Sequence, residues 1–422
     1  MKDPLQYPKL RWPLDVRLEQ MEDQQVLLLN CPQGISPRPL LVKPAFAPLI
    51  AQFEGQLSLD EIATRFAGIG AERSLVLRLA ELLDEHLFLD TPKFHAAQHE
   101  FREAYAKSDL RSAALAGLSY SASREELSRH IDAFLAEGRS AIILTPSAPI
   151  EPATSGTGNL LGLISPHIDY QRGGACYGLT YSKLRGAQHD LYILIGTAHQ
   201  YSPYLFHLTK KNFQSPLGTL ICDQEFVRGL ADRYGAGRSF ADEILHRKEH
   251  SLELQLPFLQ RVTTPPKIVP ILVGGFHKFV SAQKSPSEFD EYESFISALT
   301  ETYRAATEQG RSICLVAGVD MAHLGQNFGD KETLSKESLA VAERRDRLYL
   351  DAVLGQDKKA LFSHIAEDHD QRRMCGFPSL YTAIDLFDRL DLRYRAELVD
   401  YRQAVDLKSD CAVTFAGVTL HL

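Results

Sequence analysis

The pattern of apolar and polar residues divides the chain into two regions. Between Arg38 and Asp90 the segments LLVKP, AFAPLIAQF, SLDEIATRF and SLVLRLAELLDEHLFLD read as two or three helices with a strand at each end. Ser58 followed three residues later by Glu61 is a capping box, in which hydroxyl and carboxylate each satisfy a backbone N–H left over at a helix start. Leu75, Leu79, Leu82, Leu83 and Leu87 recur at spacings of three and four, an apolar stripe on an otherwise charged helix that must pack on its neighbours.

From about Ala113 the pattern becomes apolar strand alternating with amphipathic helix. The strands are AIILT, LLGLISP, LYILIGTA, KIVPILVGG and ICLVAGV, and the helices between them include REELSRHIDAFLAEG, QEFVRGLADRYG and SEFDEYESFISALTETYRAATEQ. Such alternation predicts an α/β fold, a mostly parallel sheet flanked by helices. A helix around Pro378 to Arg389 then gives way to strands in AELVDYRQ and CAVTFAGVTLHL. The stretch from Pro146 to Asn159, rich in Pro, Ser, Thr and Gly, reads by composition as a linker and a domain boundary.

Composition narrows the function classes. Lys and Arg number 46 against 54 Asp and Glu, with no basic block, which argues against a phosphate-backbone ligand and so against nucleic acid. No stretch approaches the roughly 18 consecutive apolar residues of a membrane span, and the start has no apolar core suited to a secretory signal. The expectation is a cytoplasmic protein with no membrane partner. Cys31, Cys176, Cys222, Cys314, Cys375 and Cys411 are scattered without a CxxC pair, as expected of reduced thiols used as small apolar groups, Cys375 excepted.

Three predicted strands run into a reactive side chain, and in open α/β sheets ligand sites assemble at the carboxyl ends of strands. LLGLISP leads to His167, LYILIGTA to His199, and ICLVAGV to Asp320 and His323. A lone histidine in such a place is most often structural, but three in one topological position point to a common site. Two imidazoles plus one anion leave coordination positions open for water, dioxygen or substrate. The anion could be Asp320, Glu249, Glu253 or the thiolate of Cys375 in MCGFPS. A carboxylate favours Fe(II), whereas sulfur is softer and favours Zn or Cu(I) without excluding Fe(II). Glu249, His250 and Glu253 in KEHSLELQLPFL fall three or four apart and could share a helix face; equally, they could be acids at a helix N-terminus. There is no HExxH, no GxSxG and no P-loop.

The ordered set SPHIDY, GTAHQ, EHSLELQLP, PILVGG, GVDMAHLG and MCGFP resembles the Memo-like family, the B component of AmmeMemoRadiSam systems. The similarity begins at AGLSYSASREELSRHIDAFL and runs from about Ala116 to Leu422, which turns the Pro-rich stretch into a loop inside the family domain. The domains expected are therefore 1–110, a small module that resembles PqqD-like winged-helix peptide-recognition domains, and 111–422, the Memo-like domain. The resemblance implies the fold of class III extradiol dioxygenases, which cleave catechol-type rings with Fe(II). It places the metal ligands on His167, His199 and Cys375, the acid/base histidine on His323 with Asp320 as its orienting partner, and a pocket-facing histidine on His250. It implies radical-SAM and AMMECR-like partners and an aromatic or peptide substrate, presented by the N-terminal module.

The chain departs from the family pattern at Ile168, Asp169 and Tyr170 after the first histidine, at Gln200 for a second histidine, at Gly318 and Val319 for serines, and at Phe377 for an arginine. The metal positions survive these changes; the polar lining does not, and Phe377 makes the pocket less cationic. Three functions follow as expectations: a non-haem iron or copper oxidoreductase in which His323 moves protons, a non-catalytic metal-sequestering or peptide-binding scaffold, and metal-assisted hydrolysis with His323 as base.

Overall fold

The structure is a computed structural model that describes residues 3–22, 24–140, 160–264 and 266–422. The expected strand AIILT and the Pro-rich loop after it lie outside the described residues. The chain forms two compact units, residues 1–108 and 109–422.

The first unit opens with a three-stranded antiparallel sheet, β1 (Asp15–Met21), β2 (Gln24–Asn30) and β3 (Leu40–Val42), in that order. Helices Ala47–Ile50, Leu59–Arg65, Arg73–Glu85 and Pro92–Ala106 follow. The capping box is present: Ser58 Oγ accepts from Glu61 N (3.3 Å) and the Glu61 carboxylate accepts from Ser58 N (2.7 Å). LLV of the predicted first strand is β3, while HLFLD makes only an isolated bridge from Leu89 to Leu10. The Arg73–Glu85 helix buries Val76, Leu79, Ala80 and Leu83. Its inward stripe is thus turned slightly from the leucines alone, with Val76 and Ala80 joining Leu29, Ile62 and Phe88 in one core.

The second unit is built on one large sheet. Its strands are β4 (Leu110–Arg111), β5 (Leu160–Ser165), β6 (Leu191–Thr197), β7 (Phe206–Leu208), β8 (Asn212–Ser215), β9 (Gly218–Cys222), β10 (Lys267–Val273), β11 (Ile313–Gly318), β12 (His323–Leu324), β13 (Arg395–Asp406) and β14 (Cys411–His421). The order is β12-β14-β5-β11-β6-β10-β9-β8-β4, with β13 beside β14 and β7 beside β10. The five central strands β5, β11, β6, β10 and β9 are parallel. Beyond them β14 is antiparallel to β5, and β8 to β9, so the parallel expectation holds at the centre and gives way to hairpin pairing toward the edges.

Alternation along the central strands shows why helices cover both faces. In β6, Leu191, Ile193 and Ile195 join one core with Val227, Phe295 and Leu380, while Tyr192 and Leu194 join the other with Ile131, Tyr177 and Phe258. All six cysteines are free; Cys375 is half-buried, the other five are buried, and Cys31, Cys176, Cys222 and Cys314 pack in apolar clusters. No helix among the described residues is long and apolar enough to cross a membrane.

Candidate metal centre

Adjacent central strands deliver three side chains to one place. β11 lies between β5 and β6, with Gly318 level with Ser165 on one side and Gly196 on the other. His167 therefore follows β5, Asp320 follows β11 and His199 follows β6, all at the carboxyl edge of the sheet. The short helix His250–Glu253 crosses above these strand ends. It comes so close that a Cβ on Gly318 would lie 2.3 Å from the Ser251 carbonyl oxygen, so the position has no room for a side chain. Cys375 arrives from the opposite direction, on the turn before helix Phe377–Arg389. Thr197 Oγ1 donates to its carbonyl (2.9 Å), and Gly376 N donates to the Asp320 carbonyl (3.1 Å), locking that turn to two strand ends.

The hydrogen bonds fix the tautomers of both candidate ligands. His167 Nδ1 lies 3.0 Å from the Gly318 carbonyl oxygen, which can only accept, so Nδ1 carries the proton and Nε2 keeps its lone pair. His199 Nδ1 likewise donates to Glu249 Oε1 (2.9 Å), freeing its Nε2. Cys375 Sγ stands 3.2 Å from His167 Nε2. One donor atom from each of His167, His199 and Cys375 falls within 4.8 Å of the others. A tetrahedral ion with metal–sulfur near 2.3 Å and metal–nitrogen near 2.0–2.1 Å sets such donors about 3.6 Å apart, so the set fits an ion. Tying the far ring nitrogen to an oxygen acceptor is also how proteins orient metal-binding histidines.

Electrostatics agree with a cation site. Burial holds the Cys375 thiol well above its ordinary range, so a neighbouring cation is needed to make it a thiolate. Burial, reinforced by His199 and His250, holds His167 well below the ordinary imidazole range and keeps it neutral, the form a ligand needs. Burial opposes charge on Glu249, but His199 and His250 outweigh it and the carboxylate stays ionised. Burial likewise opposes charge on His250, and its bond to Glu249 overcomes that and raises it. The His250 ring stacks on His199 at 4.4 Å and meets His167 edge-on at 5.1 Å.

Two expected roles are corrected. Asp320 does not orient His323. Its carboxylate is buried, accepts from His167 N (2.8 Å) and lies 3.7 Å from His167 Nε2, and burial pushes its pKa up to about 6. His323 Nδ1 is instead 3.1 Å from the carbonyls of Met321 and Arg373, and burial lowers its pKa to about 4. Residues three apart share a face only in a helix, and here the chain runs through coil into β12. Glu253 faces away from the centre: it accepts from Arg111, Tyr120 Oη and the N–H groups of Ala114 and Leu115.

Glu249 is expected from the sequence as either a ligand or a helix-terminus acid. The structure makes it a hub that accepts from His199 N (2.9 Å), His250 N (2.8 Å) and Ser251 N (3.0 Å) besides the two rings. The EHS motif was the available signal, since the carboxylate also caps its own helix.

His199 is exposed, and with Cys375 it forms part of the wall of a cleft of about 660 Å³ that also includes Tyr201, Tyr204, Phe276 and Phe377. Besides Phe377 the wall carries Lys278 and Arg373, each paired with an acid: Lys278 with Glu291 (2.7 Å) and Arg373 with Asp330 (2.6 Å).

Comparison with known proteins bears on the second unit most directly. The family described as Memo-like protein matches residues 111–419. A MEMO1 family protein of Aquifex aeolicus is 21% identical over 393 residues, covering 92% of this chain and 94% of the relative. One from Archaeoglobus fulgidus is 28% identical over 265 residues, 63% of this chain and 88% of the relative. Another from Methanobrevibacter smithii is 26% identical over 308 residues, 71% and 95% respectively.

Proposed function

The chain belongs to the Memo-like protein family, whose fold is related to that of extradiol dioxygenases, and from that premise we propose that His167, His199 and Cys375 hold one divalent or redox-active metal ion in an oxidoreductase. Fe(II) stands first by resemblance, with Cu and Zn as the other ions suited to the donors. What carries the reading is the pair of imidazoles whose Nδ1–H groups are committed to Gly318 and Glu249, leaving two free Nε2 atoms beside the Cys375 sulfur. Such an ion supplies Lewis-acid or redox chemistry at open coordination positions.

The chain's own residues do the rest. Glu249 and the Gly318 carbonyl orient the rings, and burial of His167 keeps water from that side. His250, half-exposed and hydrogen-bonded to Glu249, holds a proton next to both ligand rings, and His323 is the second proton-carrying candidate. The cleft wall of Tyr201, Tyr204, Phe276 and Phe377 suits an aromatic or aromatic-bearing peptide substrate. Radical-SAM and AMMECR-like proteins are the partners this reading carries, with co-purification as the check.

The test is anaerobic purification followed by metal analysis of wild type and H167A. Stoichiometric metal that H167A loses supports the site; equal metal in both dismisses it. A second reading, metal sequestration without turnover, is favoured by the sulfur donor, which suits Cu(I) better than a carboxylate would. Oxygen consumption by the Fe(II)-loaded protein with catechols or tyrosyl peptides supports the enzyme, and copper binding without oxygen use supports sequestration.

A further inference from the structure

Arg111 sits in the two-residue strand β4, with its side chain fully buried. A buried guanidinium needs a partner for every donor, and each partner here is specific. Nε donates to the His246 carbonyl (2.9 Å), Nη2 to the Glu249 carbonyl (2.9 Å), and Nη1 to the Ser112 carbonyl (3.1 Å) and to Glu253. The guanidinium also lies 5.4 Å from the centre of the Phe213 ring. Glu253 is satisfied in turn by Tyr120 Oη and the N–H groups of Ala114 and Leu115.

The geometry spans one turn of chain. Arg111 grips the carbonyls of His246 and Glu249, the two ends of the segment that leads into the short helix above the sheet, and that segment places the Glu249 carboxylate. Glu249 then sets His199 through two bonds, to the backbone N–H and to Nδ1. The planar fork is what reaches two carbonyls at once; an ammonium carries its charge at a point.

Resting on the metal-site reading above, we propose that Arg111 is a positioning residue for the metal centre: its fork on the His246 and Glu249 carbonyls holds the Glu249 carboxylate in the place where it fixes the ring orientation and tautomer of His199. Arg111 itself touches neither ring nor sulfur. Its influence passes through backbone and one carboxylate.

The test compares R111K with Y120F. Y120F removes a hydrogen bond to Glu253 but leaves the fork intact, so it controls for loss of stability alone. Two readouts are taken. The first is the imidazole ¹⁵N spectrum of the metal-free protein, with His199 assigned by H199Q, which reports the Nδ1–H tautomer without any ion. The second is Zn²⁺ affinity by competition with a chelator. The expected result is that R111K mixes the His199 tautomers and weakens Zn²⁺ binding by about 10-fold or more, while Y120F changes neither although both lower the urea midpoint. R111K with wild-type ¹⁵N shifts and wild-type affinity overturns the proposal, as does an equal effect of Y120F. Should R111K fail to fold, R111Q/E253Q removes the buried charges together and is read against the same expectations. A wild-type protein without Zn²⁺ affinity refutes the metal reading, and the ¹⁵N arm then decides the positioning role by itself.

Discussion

Replacing Glu249 by glutamine tests the hub on which both histidines depend. The carboxylate is nearly fully buried and only accepts: Oε2 takes His199 N at 2.9 Å, while Oε1 takes His199 Nδ1 at 2.9 Å and the N–H groups of His250 and Ser251 at 2.8 and 3.0 Å. An amide offers one oxygen and one NH₂. With the oxygen at the Oε1 position the NH₂ faces His199 N, donor against donor; with the amide flipped, three or more donors lose their acceptor. The better orientation still leaves one buried N–H unpaired, a cost of about 1–3 kcal/mol, and turns charge-assisted bonds into neutral ones for about 1 kcal/mol more. E249Q is therefore expected to lose about 2–4 kcal/mol of stability in urea unfolding of the metal-free protein. With the Nδ1–H bond of His199 reduced to a neutral one and its backbone N–H left unpaired, the ring is held less firmly, and Zn²⁺ affinity should fall about 10- to 100-fold. Chelator competition measures it under conditions where both proteins are folded. E249Q with an unchanged urea midpoint and an affinity within about threefold of wild type would refute the account of Glu249.

Further expectations concern the sulfur, the close packing and acid stability. C375D exchanges a soft donor for a hard one, so the ratio of Zn²⁺ to Fe(II) or Mn²⁺ affinity should drop, as read by competitive loading and metal analysis; an unchanged ratio removes Cys375 from the donor set. G318A puts a methyl 2.3 Å from the Ser251 carbonyl oxygen and 2.7 Å from Gln255 Nε2, so a loss of about 1–3 kcal/mol in urea unfolding is expected, with weakened metal uptake. His207 is buried and its pKa is pushed down to about 4, against about 6.5 unfolded, so the unfolded chain binds the proton first. Its contribution is complete above pH 6.5 and is lost as the pH falls toward 4, about 3 kcal/mol in all; in H207L the stability–pH curve should lose that much of its acid limb.

Much of the centre could be read from the chain because β5, β6 and β11 are fully buried apolar runs, and a polar residue directly after such a run must stand at the sheet's edge. The last strand, β14, was legible for the same reason. β1 was not: DVRLEQM keeps only two apolar positions on one face, and both, Val16 and Leu18, are exposed, so no buried face marks the strand; its partner β2 does bury Leu27 and Leu29, so its VLLL run was a signal that went unread. Asp320 was expected beside His323 because the two are three residues apart around one turn, whereas its partner, His167, comes from another strand. Nothing local distinguishes Arg111 from a surface arginine; its burial is created by Glu253, 142 residues further on.

The groups that meet at the centre come from distant points of the chain: His167 and Cys375 are separated by 208 positions, and Arg111 and Glu253 by 142. Under the metal-site reading no single stretch of chain brings this donor set together, so the three donors meet only once the turn that carries Cys375 has docked on the ends of β6 and β11. An ion taken up by that site would then enter after folding and from the solvent side at His199, the exposed member of the three, with His167 closed off behind it.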